Sequence, residues 1–341
     1  MTDNYDAVLI VSFGGPEKRD DVIPFLENVL RGKPVPRERL LEVAEHYYQF
    51  GGVSPINTQV RELIAALQDE LSQSSIDLPV YWGNRNWNPM LADTLRQMAD
   101  DGIKRALAFF TSAYSSYSGC RQYRENIQQA QAEVGPSAPV VDKIRVFYNH
   151  PEFIAVNAER VREALDRLPD GRGNTAPIAF TAHSIPQSMA DHCDYVSQLT
   201  ETCRLIASKL QIPTERWKLV YQSRSGRPTD PWMEPDILDH IRSLHDSQQS
   251  SLVIAPVGFL SDHIEILFDL DEQASELCDE LGIAMVRAGT PGTHRRFVTM
   301  IRELIQERLV QGSERRALGT CGPSHDVCPV DCCTYSIPAR R

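Results

Sequence analysis

Short apolar runs alternate with longer amphipathic stretches along most of this 341-residue chain. Runs with the length and β-branched content of buried strands lie at 7–13, 78–83, 105–111, 176–181, 217–222 and 251–256. Helical spacing of apolar residues predicts helices over 20–31, 57–74, 90–101, 118–133, 152–167, 194–210, 262–281 and 295–310. Continuous apolar strands separated by helices predict an α/β fold, with parallel sheets covered on both faces.

A weak internal echo divides the chain into two such units. AVLIVSFGGPE near the start and APIAFTAHSIP at 176–186 each run from an apolar strand into a loop of small residues and then Pro. A chain of this length can build two full cores. We expect one unit over 1–150 and a second over 151–293, with a helix at 294–312 that packs back on the first unit. The polar segment LPDGRGNTAP (168–177) is an alternative boundary, and 313–341 has the pattern of an irregular tail.

The net charge and the lengths of the apolar runs exclude some classes of protein. With 35 Lys and Arg against 46 Asp and Glu, the net charge of −11 argues against a nucleic-acid binder. No apolar run approaches the about 20 residues of a membrane span. The start, MTDNYDAVLIVSFGG, has no signal-peptide pattern. We therefore expect a cytoplasmic protein without a transmembrane segment, and a monomer.

The stretch GFLSDHIEILFDLDEQA (258–274) puts five ionisable residues within positions 262–271, where a strand meets a helix. An N-cap role explains Asp262, because acids at a helix start complement its dipole. It does not explain Asp269 and Asp271, which lie deeper in the helix. Glu265 and Asp269 share a helix face and repel each other. Burial would raise their pKa values and suit proton acceptance, and together with His263 they could hold a divalent ion.

His183 in TAHSIP (181–186) directly follows a buried strand. Ligands of open α/β sheets bind beyond the carboxyl ends of the strands, and the acidic stretch occupies the same place in its own strand–helix unit. A hydrogen-bonded structural histidine is the alternative. A serine hydrolase is disfavoured because the chain has no GxSxG elbow.

Other loops at strand ends carry aromatic and basic side chains. TSAYSSYSGCRQYREN (111–126) could contact a large ring and its carboxylates, or simply open an amphipathic helix, through residues that include Tyr114, Tyr117 and Arg121. The loop 221–237 holds Arg224, Arg227 and Trp232, and long ordered loops of this kind are often functional. FGGVSPIN (50–57), with Ser54, could form a tight turn, or its backbone could approach a flat ligand closely. VSFGGPE (11–17) lacks nucleotide-binding glycine patterns.

Four of the eight cysteines crowd the tail in the pattern C-x6-C-x3-C-C. They are Cys321, Cys328, Cys332 and Cys333, and Cys120 could add a thiolate from a strand-end loop. Clustered cysteines in a cytosolic chain bind metal more often than they form disulfides. From the residues alone, zinc and an iron–sulfur cluster fit equally well.

Taken together, these motifs resemble the ferrochelatase family, which inserts Fe²⁺ into porphyrins in haem biosynthesis. The resemblance covers roughly 5–310, and it rests on VSFGGPE, FGGVSPIN, FTAHSIP (180–186), YQSRSGRPTDPW (221–232) and GFLSDHIEILFDLD (258–271). It implies two similar Rossmann-like domains of the chelatase fold with a porphyrin cleft between them. It also implies that the enzyme is a lyase whose substrates are a porphyrin and ferrous iron.

The family's histidine falls on His183 and its partner glutamate on Glu265, which the resemblance makes the catalytic residues. With Asp269 they would also meet the substrate iron. The residues expected to bind porphyrin are Phe13, Ser54, Tyr114, Tyr117, Arg121, Trp232, Ser261, Asp262 and His263. The family's trail of acids continues to position 273, which is Gln here, with Glu272 adjacent.

Some members of the family carry a [2Fe–2S] cluster. By analogy its ligands here would be Cys120, Cys321, Cys328 and Cys333, with Cys332 as the alternative to Cys333. SFGGPE…VIPFLENVLRGKPVP is similar to the actinobacterial-type enzymes, and the resemblance implies that such enzymes prefer coproporphyrin III over protoporphyrin IX. The substrate here is therefore either coproporphyrin III or protoporphyrin IX. Contact with a membrane or with another enzyme of the pathway would be transient. The alternatives are a non-catalytic porphyrin or haem carrier, an iron–sulfur redox or sensor protein, and a chelatase for another tetrapyrrole and metal.

Overall fold

A computed structural model describes residues 4–32, 35–225 and 229–335. Parallel strands form two four-stranded sheets. The first sheet contains β1 (Ala7–Ser12), β2 (Val80–Asn84), β3 (Arg105–Phe110) and β4 (Val140–Lys143). The second contains β5 (Ile178–His183), β6 (Trp217–Gln222), β7 (Ser251–Ala255) and β8 (Ala284–Arg287). The predicted α/β class is therefore confirmed.

The two sheets share one topology. The first has the order β2-β1-β3-β4 and the second the order β6-β5-β7-β8, so each unit begins with an inner strand. The echo between the two halves of the sequence is thus a repeat of architecture. Because all strands are parallel, their carboxyl ends lie along one edge of each sheet, where His183 pairs in register with Gln222.

Helices connect the strands and cover both faces of the sheets. They are α1 (Val22–Val29), α2 (Arg37–Gln49), α3 (Ile56–Gln73), α4 (Leu91–Asp100), α5 (Gln122–Val134), α6 (Pro151–Asp166), α7 (Gln187–Ala190), α8 (Tyr195–Leu210), α9 (Ile237–Asp246), α10 (Ile264–Ile266), α11 (Ser275–Glu280) and α12 (Arg295–Leu309). Two segments, Tyr117–Arg121 and Leu267–Ala274, are π-helical. Shorter 3₁₀ turns lie at Arg19–Asp21, Pro169–Asn174 and Thr214–Arg216.

Five of the labelled helices and strands were not predicted from the sequence: β4, β8, α2, α7 and α9. The edge strands β4 and β8 are four residues long and only partly covered, and Val140 is 54% exposed, so neither has a continuous apolar run. Only two residues of α2, Leu40 and Ala44, are buried. The predicted helix 262–281 is three pieces, because a π-helical segment separates α10 from α11.

The last helix, α12, packs against α3 of the first unit and α6 of the second. Stacked and edge-on aromatic rings fill the space around it: Phe109 and Phe147 have centroids 5.2 Å apart, and Phe297 lies 6.3 Å from both. Burying rings of this size contributes much of the free energy of folding. The hydrophobic core therefore runs without interruption from one sheet to the other.

Buried polar side chains hold the tail after α12. The Arg145 guanidinium, 1% exposed, donates two hydrogen bonds of 2.8 Å to Glu307 and a third to the Arg316 carbonyl. Asn149 donates to the Leu318 and Gly322 carbonyls at 3.2 and 2.9 Å. The segment has no regular secondary structure, so these side-chain hydrogen bonds hold it in place.

Within the part of the chain that the structure describes, every helix is too short or too polar to cross a membrane.

Candidate active site

The carboxyl end of β5 and the start of α10 bring two ionisable side chains together. His183 is the last residue of β5, and its Nε2 lies 3.6 Å from Glu265 Oε1. Glu265 is 82 positions later, so their proximity depends on the pairing of β5 with β7, which precedes α10. The two side chains are 33% and 44% exposed, which leaves the pair accessible to a ligand.

A contact at Nδ1 fixes the orientation of the His183 imidazole. Nδ1 contacts the carbonyl oxygen of Ser184, which can only accept a hydrogen bond. Nδ1 therefore carries a proton, and Nε2 is the nitrogen that faces Glu265. The backbone of His183 is held as well, because Tyr195 donates its hydroxyl proton to the His183 carbonyl at 3.0 Å.

Glu265 lies in the first turn of α10, and His263 is the N-cap of that helix. The Glu265 backbone N–H donates to His263 Nδ1 at 3.2 Å. The predicted N-cap role of Asp262 is therefore wrong, because the helix begins at Ile264 and the histidine side chain satisfies its free backbone donor. Gln222, at the end of β6, donates to the Glu265 carbonyl at 3.1 Å and ties the turn to the sheet.

The π-helical segment after α10 carries Asp269. Turns of this kind are rare and occur often at functional sites. Ser223 donates its hydroxyl proton to Asp269 Oδ2, and Gln222 Nε2 lies 3.5 Å from the same oxygen. Burial raises the pKa of Asp269 to about 7, with a further contribution from the Glu265 charge and against the opposing effect of the Ser223 hydrogen bond. Asp269 is thus a carboxyl group that exchanges its proton near neutral pH.

The charges of His183 and Glu265 determine each other. Burial alone would lower the pKa of His183, but the Glu265 carboxylate and the Ser184 carbonyl outweigh it and raise the pKa to about 9. Burial would likewise raise the pKa of Glu265, but His183 and His263 lower it to about 2. In the resting site His183 is therefore a cation. His183 becomes neutral only after its partner's charge has been compensated.

We expect Asp269→Asn to stabilise the fold more at pH 8 than at pH 5. The folded-state pKa of about 7 exceeds the ordinary 3.8, so the folded protein is penalised progressively as pH rises from about 4 through 7. The gain in unfolding free energy should be roughly 1–3 kcal/mol above pH 7 and vanish near pH 4. Urea unfolding at the two pH values measures it, with the exposed Asp279→Asn as control. An equal gain at both pH values would contradict the raised pKa.

Asp262 and Asp271 turn away from this pair toward Arg287 on the edge strand β8. Arg287 donates to both oxygens of Asp271 at 2.5 and 2.8 Å, and to Asp262 at 3.3 Å. Thr290 also donates to Asp262, at 3.2 Å. Only part of the acidic stretch therefore reaches His183, and Ser261 is half-buried at its start.

Helix α2, which was not predicted, forms another wall of the site. His46 stacks on Phe268 of the π-helical segment, with ring centroids 3.8 Å apart and planes 15° apart. Burial raises the pKa of Tyr47, and the Glu265 carboxylate raises it further, which places this phenol within the electrostatic reach of the pair. Leu40, Ala44 and Tyr47 recur at helical spacing, and that is the sequence signal from which α2 could have been found.

Three of the expected porphyrin-binding residues lie in or near the first sheet. The half-buried ring of Phe13 packs against Phe25 and lies 5.7 Å from the Arg85 guanidinium. Ser54 is 4% exposed and lies against Gly15. The two residues are so close that a Cβ added to Gly15 would come within 2.8 Å of the serine side chain. Tyr114 is 2% exposed and donates to the Val257 carbonyl at 2.9 Å. Of the three, Phe13 is the most accessible.

Two further expected residues contact the tail. The Tyr117 ring lies 5.6 Å from Tyr335, and Arg121 donates to the Val330 and Cys332 carbonyls at 2.9 and 3.0 Å. Their side chains therefore hold the cysteine-rich segment. Trp232 is half-buried and pairs through its backbone with Pro186, next to the His183 loop. Arg227 of the same loop lies outside the described residues.

The tail brings thiols from distant parts of the sequence together. Cys120, in the π-helical turn before α5, forms a side-chain hydrogen bond with Cys328. Cys332 and Cys333 have sulfur atoms 3.5 Å apart. The bond from Cys120 lowers the pKa of Cys328 to about 4, and the Lys143 charge assists, so this group is a thiolate. Cysteine sulfur atoms at this spacing are the donor type that an iron–sulfur cluster or zinc requires.

The structure does not bring Cys321 into this group. Its thiol instead forms a side-chain hydrogen bond with Tyr148. Cys332, rather than the favoured Cys333, lies with Cys328 and His325 in a triad whose ligand atoms are all within 4.8 Å of one another. His325 was not among the expected ligands, and its place between Cys321 and Cys328 gave no spacing signal.

Comparison with known proteins agrees with this architecture. The model of the ferrochelatase family matches residues 5–309. A ferrochelatase of Rhodopirellula baltica is 61% identical, over 97% of this chain and 94% of its own length. A coproporphyrin III ferrochelatase of Streptomyces coelicolor is 49% identical, over 98% and 94%. SirB from Bacillus subtilis, solved with Fe³⁺, superposes with a TM-score of 0.56 at 9% identity, over 92% of this chain and 99% of its own, which shows the fold alone.

Proposed function

The chain belongs to the ferrochelatase family, and we propose that its His183–Glu265 pair is where ferrous iron enters the porphyrin. As a member of that family it is a lyase that inserts Fe²⁺ into a porphyrin in haem biosynthesis. The observation that supports the site is the 3.6 Å approach of His183 Nε2 to Glu265 at the carboxyl edge of the second sheet. A porphyrin carrier would need the cleft but not this pair.

Metal insertion replaces two N–H bonds of the porphyrin with bonds to iron. Each N–H bond that breaks leaves its electron pair on nitrogen, which then binds the metal. Four Fe–N bonds form, two protons leave, and the metal remains Fe²⁺. The protein therefore has to deliver the ion, remove its water and accept two protons within reach of the ring.

The charge pair provides a way to time the first proton transfer. At rest, protonated His183 and ionised Glu265 carry no net charge between them. A ferrous ion arriving at Glu265 adds positive charge beside His183 and lowers its pKa. Nε2 then loses its proton to water while Nδ1 stays bonded to the Ser184 carbonyl. The freed Nε2 lone pair can accept a proton from a pyrrole nitrogen.

Asp269 is the group best suited to the second proton. Its pKa of about 7 lets the carboxylate accept a proton near neutral pH and return it to water. Ser223 and Gln222 hold the carboxylate on the π-helical segment behind Glu265. Burial lowers the pKa of His263, and its Nδ1 accepts the Glu265 backbone N–H as the cap of α10. Its role is to position Glu265.

We propose coproporphyrin III as the physiological substrate. The relatives of S. coelicolor and Mycolicibacterium smegmatis, at 49% and 46% identity, are coproporphyrin III ferrochelatases. Coproporphyrin III carries four propionates where protoporphyrin IX carries two propionates and two vinyl groups. A site that pairs the extra carboxylates would discriminate by well over tenfold, since unpaired buried polar groups penalise the wrong substrate.

The test compares kcat/KM for Fe²⁺ insertion into the two porphyrins without oxygen, by the change in the porphyrin absorption spectrum. We expect coproporphyrin III to be preferred at least about tenfold. Equal rates or the reverse preference would reject the substrate assignment, although not the ferrochelatase activity. Porphyrin binding without any insertion would favour the carrier.

We also propose that the tail holds the [2Fe–2S] cluster implied by the family resemblance. The proximity of the Cys120, Cys328 and Cys332 thiols, with Cys333 adjacent, supports this proposal. When bound, the cluster would supply a centre for one-electron redox chemistry. Arg121 and Asn149 fasten the segment that carries these thiols.

The remaining proposals concern the domain boundaries, the oligomeric state and the location of the protein. We propose a first domain over 1–150, a second over 151–293, a helical segment at 294–312 and a cluster-binding tail at 313–341. The break falls between the end of β4 at Lys143 and the start of α6 at Pro151. We further propose that the protein is a cytoplasmic monomer and that it meets a membrane or a pathway enzyme only transiently. None of the described residues forms a helix long and apolar enough to span a membrane.

A further inference from the structure

We propose that Lys143 and Arg124 provide the counter-charge of the cluster in the tail, and that their charges make this cluster easier to reduce. The inference concerns the tail thiol group, by which we mean Cys120, Cys328, Cys332 and Cys333. It rests on the proposed function only in that this group holds a [2Fe–2S] cluster, and it does not depend on iron insertion at His183.

Lys143 is buried without an acidic partner. It is the last residue of β4, and only 9% of the residue is exposed. Its Nζ donates to the His325 carbonyl at 3.3 Å, but among the described residues it forms no ion pair with a carboxylate. Arg145, two positions later, is buried beside Glu307, which is the usual arrangement for a buried charge. The Lys143 ammonium therefore calls for an anion that these residues do not supply.

Arg124 is a second cation without an acidic partner. Its Nε is buried, and within the described ranges this atom has no hydrogen-bond partner and the side chain forms no ion pair. Arg121, by contrast, pairs with Glu125 at 2.9 Å. Arg124 follows Cys120 by four positions, so the two side chains share a face where the π-helical turn continues into α5. The guanidinium therefore lies on the side of the helix that carries a cluster-binding thiol.

Both cations act on the tail thiol group. The carbonyl that binds Lys143 belongs to His325, whose ring nitrogen lies within 4.8 Å of the Cys328 sulfur. The hydrogen bond from Cys120 is the main reason that the pKa of Cys328 is low. The charges of Lys143 and Arg124 lower that pKa further, so both cations lie within electrostatic reach of the thiolate.

The charge of a reduced cluster explains why these cations matter. A cluster bound by thiolates is anionic, and reduction adds one electron to its iron while the metal–sulfur bonds remain, so the net charge becomes more negative by one. A fixed cation stabilises the more negative state more strongly. Lys143 and Arg124 therefore shift the equilibrium toward the reduced cluster, and their burial limits screening by salt.

The test is a reductive titration of the full chain, purified without oxygen and analysed for iron and sulfide. Dithionite supplies the electron through redox mediators, and visible absorption and electron paramagnetic resonance follow the cluster. Wild type is compared with the neutral variants Lys143→Met and Arg124→Met. Lys143→Arg keeps the charge in place, and Lys104→Met removes one positive charge at an exposed position just before β3.

We expect each neutral variant to lower the equilibrium constant for one-electron reduction at least about tenfold, which corresponds to a fall in potential of about 59 mV. Lys143→Arg and Lys104→Met should stay within about threefold of wild type, because the first keeps the charge and the second removes a charge that solvent screens. An unchanged potential in either neutral variant would remove that residue from the counter-charge. An equal fall in Lys104→Met would show that net charge alone sets the potential, and would overturn the inference.

The iron and sulfide contents show whether a neutral variant keeps its cluster. Loss of the cluster from a methionine variant, with retention in the charge-conserving Lys143→Arg or Arg124→Lys, supports the counter-charge. Loss from both would overturn it, because side-chain shape rather than charge would then hold the cluster. Wild-type protein without iron and sulfide would overturn the inference together with the proposed cluster, whereas the insertion assay tests the His183–Glu265 pair separately.

Discussion

Replacement of His183 by alanine is expected to lower kcat for Fe²⁺ insertion by roughly 10²–10⁴-fold, the range that a positioned acid–base group contributes. Its Nε2 faces Glu265 and its Nδ1 is held by the Ser184 carbonyl, so alanine removes a proton acceptor whose orientation is fixed. Porphyrin affinity should change by less than about threefold, since one ring nitrogen contributes little to burying a macrocycle. Anaerobic insertion kinetics and porphyrin fluorescence titration measure the two quantities separately.

His192→Ala is the matched control for that experiment. His192 is exposed and lies nine positions away, and its Nδ1 contacts the Ser188 carbonyl at 2.9 Å. We expect it to keep wild-type kcat. Full activity in His183→Ala would remove the histidine from the reaction, and a parallel loss of porphyrin affinity would show that it shapes the cleft instead.

Glu265→Gln is expected to lower kcat by roughly 10²–10³-fold and to lower the pKa of His183 from about 9. Gln keeps the shape of the side chain but removes the charge that outweighs the effect of burial on the histidine. At pH 7, His183 would then be neutral before iron arrives, and the iron would lack an anionic partner. Titration of the His183 ring signals by NMR gives the pKa, and insertion kinetics give the rate.

The shifted pKa values of His183 and Glu265 also predict how the free energy of unfolding depends on pH. The lowered pKa of Glu265 stabilises the fold above about pH 4.5, and this contribution is lost as pH falls through about 2. The raised pKa of His183 stabilises below about 6.5 and is lost as pH rises through about 9. Glu265→Gln should therefore destabilise most between about pH 4.5 and 6.5.

Glu276→Gln, at an exposed position of α11, is the control for both readings. We expect it to leave kcat, the His183 titration and stability unchanged. A His183 pKa that stays near 9 in Glu265→Gln would mean that another group holds the histidine charged, and the proposed timing of proton transfer would fail.

The parts of the fold that could be predicted from sequence are those whose burial leaves a continuous apolar run. The inner strands β1, β3, β5 and β7 have that pattern, and their carboxyl ends located the site correctly in outline. The edge strands β2 and β6 were predicted as well, but the edge strands β4 and β8 were not, because they are four residues long and partly exposed. Local pattern also cannot show the π-helical turn in 267–274, since the same apolar spacing suits an ordinary helix.

The residues of the site could likewise be predicted only in part from the sequence. His183 and Glu265 each stood out where a strand ends, but the 3.6 Å between them depends on sheet pairing across 82 positions. Asp262 was misjudged because its partners, Arg287 and Thr290, come from a strand and loop far along the chain. The same long-range packing separates Cys321 from Cys328 and brings His325 in.

The central claim is that the His183–Glu265 pair faces the centre of the bound porphyrin. The most direct measurement is a crystal structure of the chain with coproporphyrin III, or its complex with a metal that does not dissociate. We predict the macrocycle between the two sheets, with its ring nitrogens turned toward His183 Nε2 and Glu265, and with α2 along one side. A macrocycle bound against Arg287 or along the tail, with His183 facing solvent, would contradict the account.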